Sequence, residues 1–264
     1  MSSLREIPDD LWNEIKPLIP PRPPRSNGGR KPADDRTMLN GIFFILRTGA
    51  AWREMPEVYG PWSTVYGRFR EWRDAGVFED FWRVALNYYD QQHGIQWDWQ
   101  SADGTYVRSP LGGPENGPNP TDRGKPGMKD QVLTDGRGVP ISVLTTRANR
   151  NDHQELQPLL NNSPVVRPKP KADQPHHICL DAAYDNEQTR KTLCVENYVG
   201  HIAPKEGRPE DAPQHSEGKA RRWVVERSHA WFDRFRRLVN NWEKTVESRY
   251  AFLCLANTLI AYRF

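Results

Sequence analysis

Cysteine is scarce: only Cys179, Cys194 and Cys254 occur among the 264 residues. They lie far apart and fit neither a zinc-binding nor a disulfide spacing, so they are expected in the core of a protein kept in a reducing cytoplasm. No apolar run approaches the ~20 residues that a membrane helix needs. Mean hydropathy is −0.83, and no membrane partner is expected. The opening MSSLREIPDDLW lacks the basic, apolar and small-residue regions of a signal peptide, so secretion is not expected. A large net charge is missing too, since 37 Lys and Arg stand against 34 Asp and Glu. Internal repeats are absent.

What is present is a composition that folds. With 36% apolar and 27% charged residues, the chain can build one sizeable core and a small accessory domain. Its charge is unevenly spread. Residues 21–53 carry seven Arg or Lys against two Asp, and residues 219–249 carry nine against four acids. Basic stretches within a nearly neutral chain suit contact with a polyanion, although a solvated charged face reads the same way. Ten tryptophans are unusual. Trp52, Trp62, Trp72 and Trp82 recur at roughly helical spacing, which favours a packed core over a base-stacking platform.

The first 93 residues read as helices. Residues 9–18 set Trp12, Ile15 and Leu18 on one face. A Pro-, Gly- and Arg-rich segment, 19–35, reads as a linker or an extended basic arm. An apolar helix follows at 36–48. A basic helix is predicted over 64–75 with Ser63 as its N-cap. Val65, Phe69 and Trp72 point inward there, while Arg70 and Arg73 fall on other stripes. Helix, turn and basic helix is the order of a helix-turn-helix reader, with Arg70 and Arg73 as candidate DNA contacts. A further helix, 77–92, brings the chain to an expected domain boundary near Gly94.

Beyond Gly94 the texture changes. Strands are predicted over 95–109, 128–134 and 139–146, the last two joined by the turn DGRG. A helix (151–162), a strand (176–181), a helix (185–197), a strand (198–204), a long helix (219–240) and an apolar helix (248–263) complete the chain. Three leading strands followed by alternating elements is the order of a ribonuclease H-like α/β fold, a mixed sheet flanked by helices.

Three acids stand out. Asp103 lies in a predicted strand, where aspartate is disfavoured, although Asp-Gly is also a turn pair. Asp181 ends the apolar strand HHICL, where open α/β sheets place ligands; Asp185 serves better as the cap of the next helix. Glu226 lies in RRWVVERSHAWFDRFRRL, where it could merely pair with Arg222 at a surface. Converging carboxylates suit hard divalent cations and phosphodiester chemistry. Arg222, Arg227, Arg234 and Arg237 on that helix, with Lys125 and Lys129 before the second strand, could hold phosphates.

These blocks resemble the DDE transposases of bacterial insertion sequences, in the group named after insertion sequence five. The likeness rests on ADGTYVRS with the stretch 123–160, on ICLDAAYDN (178–186) and on RRWVVERSHAWFDRFRRL (221–238). The stretches IPDDLWNEIKPLIP and RTMLNGIFFILRTGAAWREMPEVYGPWSTVYGRFREW also resemble the N-terminal module of the family. The resemblance implies a catalytic triad of Asp103, Asp181 and Glu226, supported by Arg222 and holding two Mg²⁺ or Mn²⁺ ions. It implies a cytoplasmic, nucleoid-associated protein that acts on double-stranded DNA, both transposon ends and target, as a homodimer. Residues 1–93 would bind terminal inverted repeats and residues 94–264 would cut and join. Lys219 stands where the family often has tyrosine. Asp233 stands where it often has a basic residue, which leaves Lys219 and Arg234 as candidate contacts there. Only 45 residues separate Asp181 from Glu226, too few for the large inserted domain of some relatives. A structure-specific nuclease of the same fold and a non-catalytic DNA-binding descendant are the alternative readings.

Overall fold

A computed structural model describes residues 6–22, 33–202, 221 and 223–264. The N-terminal region is helical. Helix α1 spans Asp9–Ile15, α2 Asp35–Thr48, α3 Trp62–Asp74 and α4 Val77–His93. Asp34 caps α2 by accepting the Thr37 N–H at 2.8 Å, and Gly49 closes it with φ of 70°. The expected Ser63 cap is corrected. Helix α3 begins two residues earlier, at Trp62, and Pro61 precedes it with its carbonyl accepting from Thr64 at 2.9 Å. Proline fixes φ near the helical value, so it starts this helix without a side-chain cap.

Strand β1 spans Trp99–Arg108, the two-residue β2 Gly117–Pro118, β3 Pro126–Thr134, β4 Pro140–Arg147, β5 His176–Leu180 and β6 Tyr198–Ile202. Strand β1 runs antiparallel to β3, and β3 antiparallel to β4. On its other side β1 runs parallel to β5, which runs parallel to β6. An antiparallel meander extended by two parallel strands is the expected ribonuclease H-like arrangement. The DGRG hairpin forms as predicted: Asp135 accepts from Arg137 and Val139 N–H groups, and Gly138 takes φ of 84°.

Alternation along β3 fixes the layers, because successive side chains leave opposite faces. Lys129 and Gln131 turn toward α5 (Asp152–Asn161), where both reach Asp152. Asp130 turns the other way, to Arg249 of α9 (Val246–Tyr262). Helix α7 (Trp223–Phe232) also packs on β1 and β3. Helix α6 (Glu187–Val195) packs on β6 and α5. Helix α9 is almost wholly buried, mostly apolar but carrying the buried Arg249, and packs between the sheet and α4. The helices before Gly94 therefore share one hydrophobic core with the sheet region, extending from Ile7 to Ala261.

The long helix expected over 219–240 is interrupted. Helix α7 ends at Phe232, and a four-residue helix α8, Arg236–Val239, follows. Phe235 between them has ψ of 89°, outside the helical region. The apolar period of Val224, Phe235 and Leu238 survives the break, which is why the sequence concealed it. Among the described residues no helix is long and apolar enough to cross a membrane.

Candidate active site

Strand register positions the two aspartates. The parallel pairing of β1 with β5 sets Trp99 beside His177 and Ser101 beside Cys179. The pairing stops there; Asp103 follows two residues on in β1, and Asp181 two residues on, just past the end of β5 at Leu180. Both carboxylates are partly exposed. Asp103 Oδ1 accepts the Gly104 N–H at 2.8 Å. Asp181 Oδ1 accepts the Ala183 N–H at 2.9 Å and so caps the 3₁₀ turn Ala182–Tyr184. The expected Asp185 cap of α6 is corrected: Asn186 performs it, accepting from Thr189 at 2.9 Å. Asp185 instead pairs with Arg190.

Asp103 and Thr105 leave β1 on the face that α7 covers, and His229 of α7 meets both. Its Nδ1 is 3.0 Å from Thr105 Oγ1, and its Nε2 is 3.7 Å from Asp103 Oδ2. Burial pushes the imidazole pKa down, opposed by the charges of Asp130, Asp233 and Glu226. Glu226 precedes His229 by three residues, on the same side of α7. Its own side chain is exposed. Sequence reasoning passed over His229. Its signal was the spacing: one helical turn after Glu226 on the helix, matched by Thr105 two residues after Asp103 on the strand.

Paired aspartate oxygens fit a hard divalent cation, which takes oxygen ligands and often only one or two carboxylates. The third acid is not gathered with them. Among the described residues no group of three His, Cys, Asp or Glu side chains is placed to hold one ion. Val224, Val225 and Ser228 bury one side of α7, and Glu226 emerges beyond them.

The candidate phosphate contacts separate into two sets. Lys129 is corrected: it is 2% exposed, and its Nζ meets Asp152 at 2.8 Å and the Arg150 carbonyl at 3.2 Å. Burial alone would lower its pKa, but Asp152 and Tyr106 hold it above the usual lysine value. Arg237 is corrected likewise: it is buried, with Nε 2.8 Å from Glu243 and Nη1 3.2 Å from the Ala50 carbonyl. The alternate face of an amphipathic stretch looked solvent-facing, yet the break before α8 turns Arg237 inward. Arg227 donates to the Arg137 carbonyl and lies 5.1 and 5.0 Å from the Trp223 and Trp231 rings, so it clamps α7 to the hairpin turn. Arg73 is spent on Ser248 and Asp74, both at 2.7 Å. Arg70, Lys125 and Arg234 are exposed. Lys219, Arg222 and part of the basic arm lie outside the described residues.

The family described as "Transposase DDE domain" matches residues 100–261, which contain Asp103, Asp181, Glu226 and His229. The chain belongs to the DDE transposase family. Residues 7–82 of this transposase match the family described as "Putative transposase of IS4/5 family". It is 37% identical over 154 residues to the "Putative transposase for insertion sequence element IS402" of Burkholderia cepacia, covering 57% of this chain and 70% of the relative. It is 36% identical over 118 residues to the insertion element IS402 uncharacterized 16.2 kDa protein of the same organism, covering 43% of this chain and 80% of that one. Among solved structures, the crystal structure of the Mos1 strand transfer complex aligns with 91% of this chain and 76% of its own. The TM-score there is 0.36 and the identity 12%, a loose overlap. DDE transposases are polynucleotidyl transferases, and the transposase described here is an enzyme of that class.

Proposed function

We propose that this transposase binds the terminal inverted repeats of its element, cleaves there and joins the freed ends to target DNA, with Asp103, Asp181 and Glu226 as its acids. The observation that supports the reading is the parallel register of β1 on β5, which runs as far as Ser101 beside Cys179, two residues before the partly exposed Asp103 and Asp181. Two Mg²⁺ or Mn²⁺ ions bound by these acids would supply Lewis-acid stabilisation of charge at the phosphate. Asp103 and Asp181 provide paired oxygen donors. His229 of α7 lies beside Asp103, its Nε2 3.7 Å from the carboxylate, and burial lowers its pKa. Glu226, exposed on α7 and apart from the aspartates in this structure, would have to move toward them to complete the donor set. Arg222 and the exposed Arg234 hold the DNA backbone near it, while Lys219 stands at the family's tyrosine position. Lys125, at the loop before β3, extends that track.

The helices of residues 1–93 take the recognition role, with exposed Arg70 on α3 directed at the duplex. A homodimer pairs the two ends. The protein works in the cytoplasm on nucleoid DNA.

The deciding test is cleavage of DNA bearing the element's own ends in Mg²⁺. Asp103→Asn and Asp181→Asn are expected to abolish cleavage while retaining DNA binding. Full cleavage by either variant sinks the assignment. A nuclease of the same fold would use the same acids, and pre-cut ends separate the two: the transposase joins them to target DNA and the nuclease does not.

A further inference from the structure

Behind the aspartate pair, on the opposite face of the sheet, runs a chain of buried polar groups. Gly104 follows Asp103 and is paired in register with Gln131 of β3. The Gln131 amide lies directly over it: a Cβ at Gly104 would stand 2.8 Å from both amide atoms and 2.9 Å from Lys129 Cδ. Gln131 Oε1 accepts from the Tyr184 hydroxyl at 3.1 Å, and its Nε2 donates to Asp152 Oδ1. A carboxylate can only accept, so the amide has one consistent orientation, and the phenol must donate. Lys129 Nζ reaches the same Asp152 oxygen at 2.8 Å. Gln131 and Tyr184 are fully buried. Tyr184 closes the turn that Asp181 opens, and its backbone N–H is 3.1 Å from the Asp181 carbonyl.

We propose that Gln131 and Tyr184 are positioning residues that clamp the turn after Asp181 to β3 and thereby set the Asp181 carboxylate against Asp103. Asp181 lies just past the last paired residue of β5, so sheet hydrogen bonds end one residue before it. The buried Tyr184 ring and its bond to Gln131 fix what the ladder no longer does. Gly104 is the gap through which the amide passes, which accounts for glycine immediately after a candidate ligand. The inference rests on the reading of Asp103 and Asp181 as metal ligands.

Mn²⁺ affinity of the full chain, followed by electron paramagnetic resonance without DNA, tests it. Groups that orient metal ligands typically change affinity ~10–100-fold when removed. Tyr184→Phe and Gln131→Met are therefore expected to weaken Mn²⁺ binding at least about tenfold. The double variant should be little worse than either single one, because both cut the same clamp. Gly104→Ala, which displaces the amide without touching either residue, should weaken binding in the same way. A purely structural role predicts lowered thermal midpoints with Mn²⁺ affinity unchanged within about twofold of the parent, and that result overturns the proposal. Asp181→Asn and Asp103→Asn serve as controls. If they bind Mn²⁺ as the parent does, the ligand assignment fails and the clamp falls with it. If they lose Mn²⁺ while the clamp variants keep it, only the clamp is wrong.

Discussion

Replacing Arg249 by methionine should be among the most damaging single changes in this protein. Arg249 is 1% exposed, and it joins α9 to β3 through Asp130. Its Nε lies 3.0 and 3.1 Å from the two carboxylate oxygens, and Nη2 donates to Oδ2 and, at 3.0 Å, to the Leu238 carbonyl. Methionine keeps most of the stem packing and removes every one of these donors. Asp130 would keep the Thr145 hydroxyl at 2.9 Å as a hydrogen-bond donor, a weak substitute for a guanidinium. Breaking a buried pair from one side costs about 3–5 kcal/mol, because the remaining charge stays desolvated and unpaired. For a chain of this size that corresponds to a fall in thermal midpoint of roughly 6–20 °C. Urea unfolding followed by circular dichroism measures the loss directly. The companion variant Arg249→Met with Asp130→Leu removes both charges and should recover most of it, since paired replacement by apolar groups is about neutral or stabilising. A single variant costing under about 1 kcal/mol, or a double variant no better than the single, would refute the reasoning.

Other changes separate buried cations from DNA contacts. Arg70→Ala should flatten the salt dependence of DNA binding by about one unit of slope. Lys129→Met should leave that slope untouched and lower stability by about 3–5 kcal/mol, because Asp152 loses its buried partner; equal slopes in salt titrations of the two variants would contradict the assignment. Gly49→Ala should cost about 1–3 kcal/mol in the same urea assay. The residue has φ of 70°, and a Cβ there would meet the Arg236 backbone at 3.1 Å. His176 links stability to pH. Burial, then the charge of Arg167, lowers its pKa below the usual 6.5, against the pull of Asp98. Between the lowered value and 6.5 the unfolded chain binds more protons, so stability rises with pH across that window and is lost on acidification through it. His176→Gln should reduce this slope in unfolding measured between pH 5 and 7, a window set by the ordinary histidine range.

Local signals carried most of the secondary structure, because they act within a few residues. The DGRG turn, the apolar strand before Asp181 and the apolar period of α2 and α9 each appear where patterning put them. Cap assignments failed where a neighbour did the same work: Pro61 for Ser63 and Asn186 for Asp185. The break in the 219–240 helix was hidden because its apolar period continues across Phe235.

The sequence by itself determined the family and most of the order of elements, since these are properties of spacing and residue type. Tertiary structure alone decided which cations face solvent. Lys129 and Arg237 carry the same charge as Lys125 and Arg234, and only their packing against Asp152 and Glu243 removes them from the surface. It also decided which groups meet the acids. His229 lies 124 positions beyond its Thr105 partner, and Tyr184 lies 53 beyond Gln131. Such pairs are created when strands register and helices dock, and no local pattern in the chain encodes them.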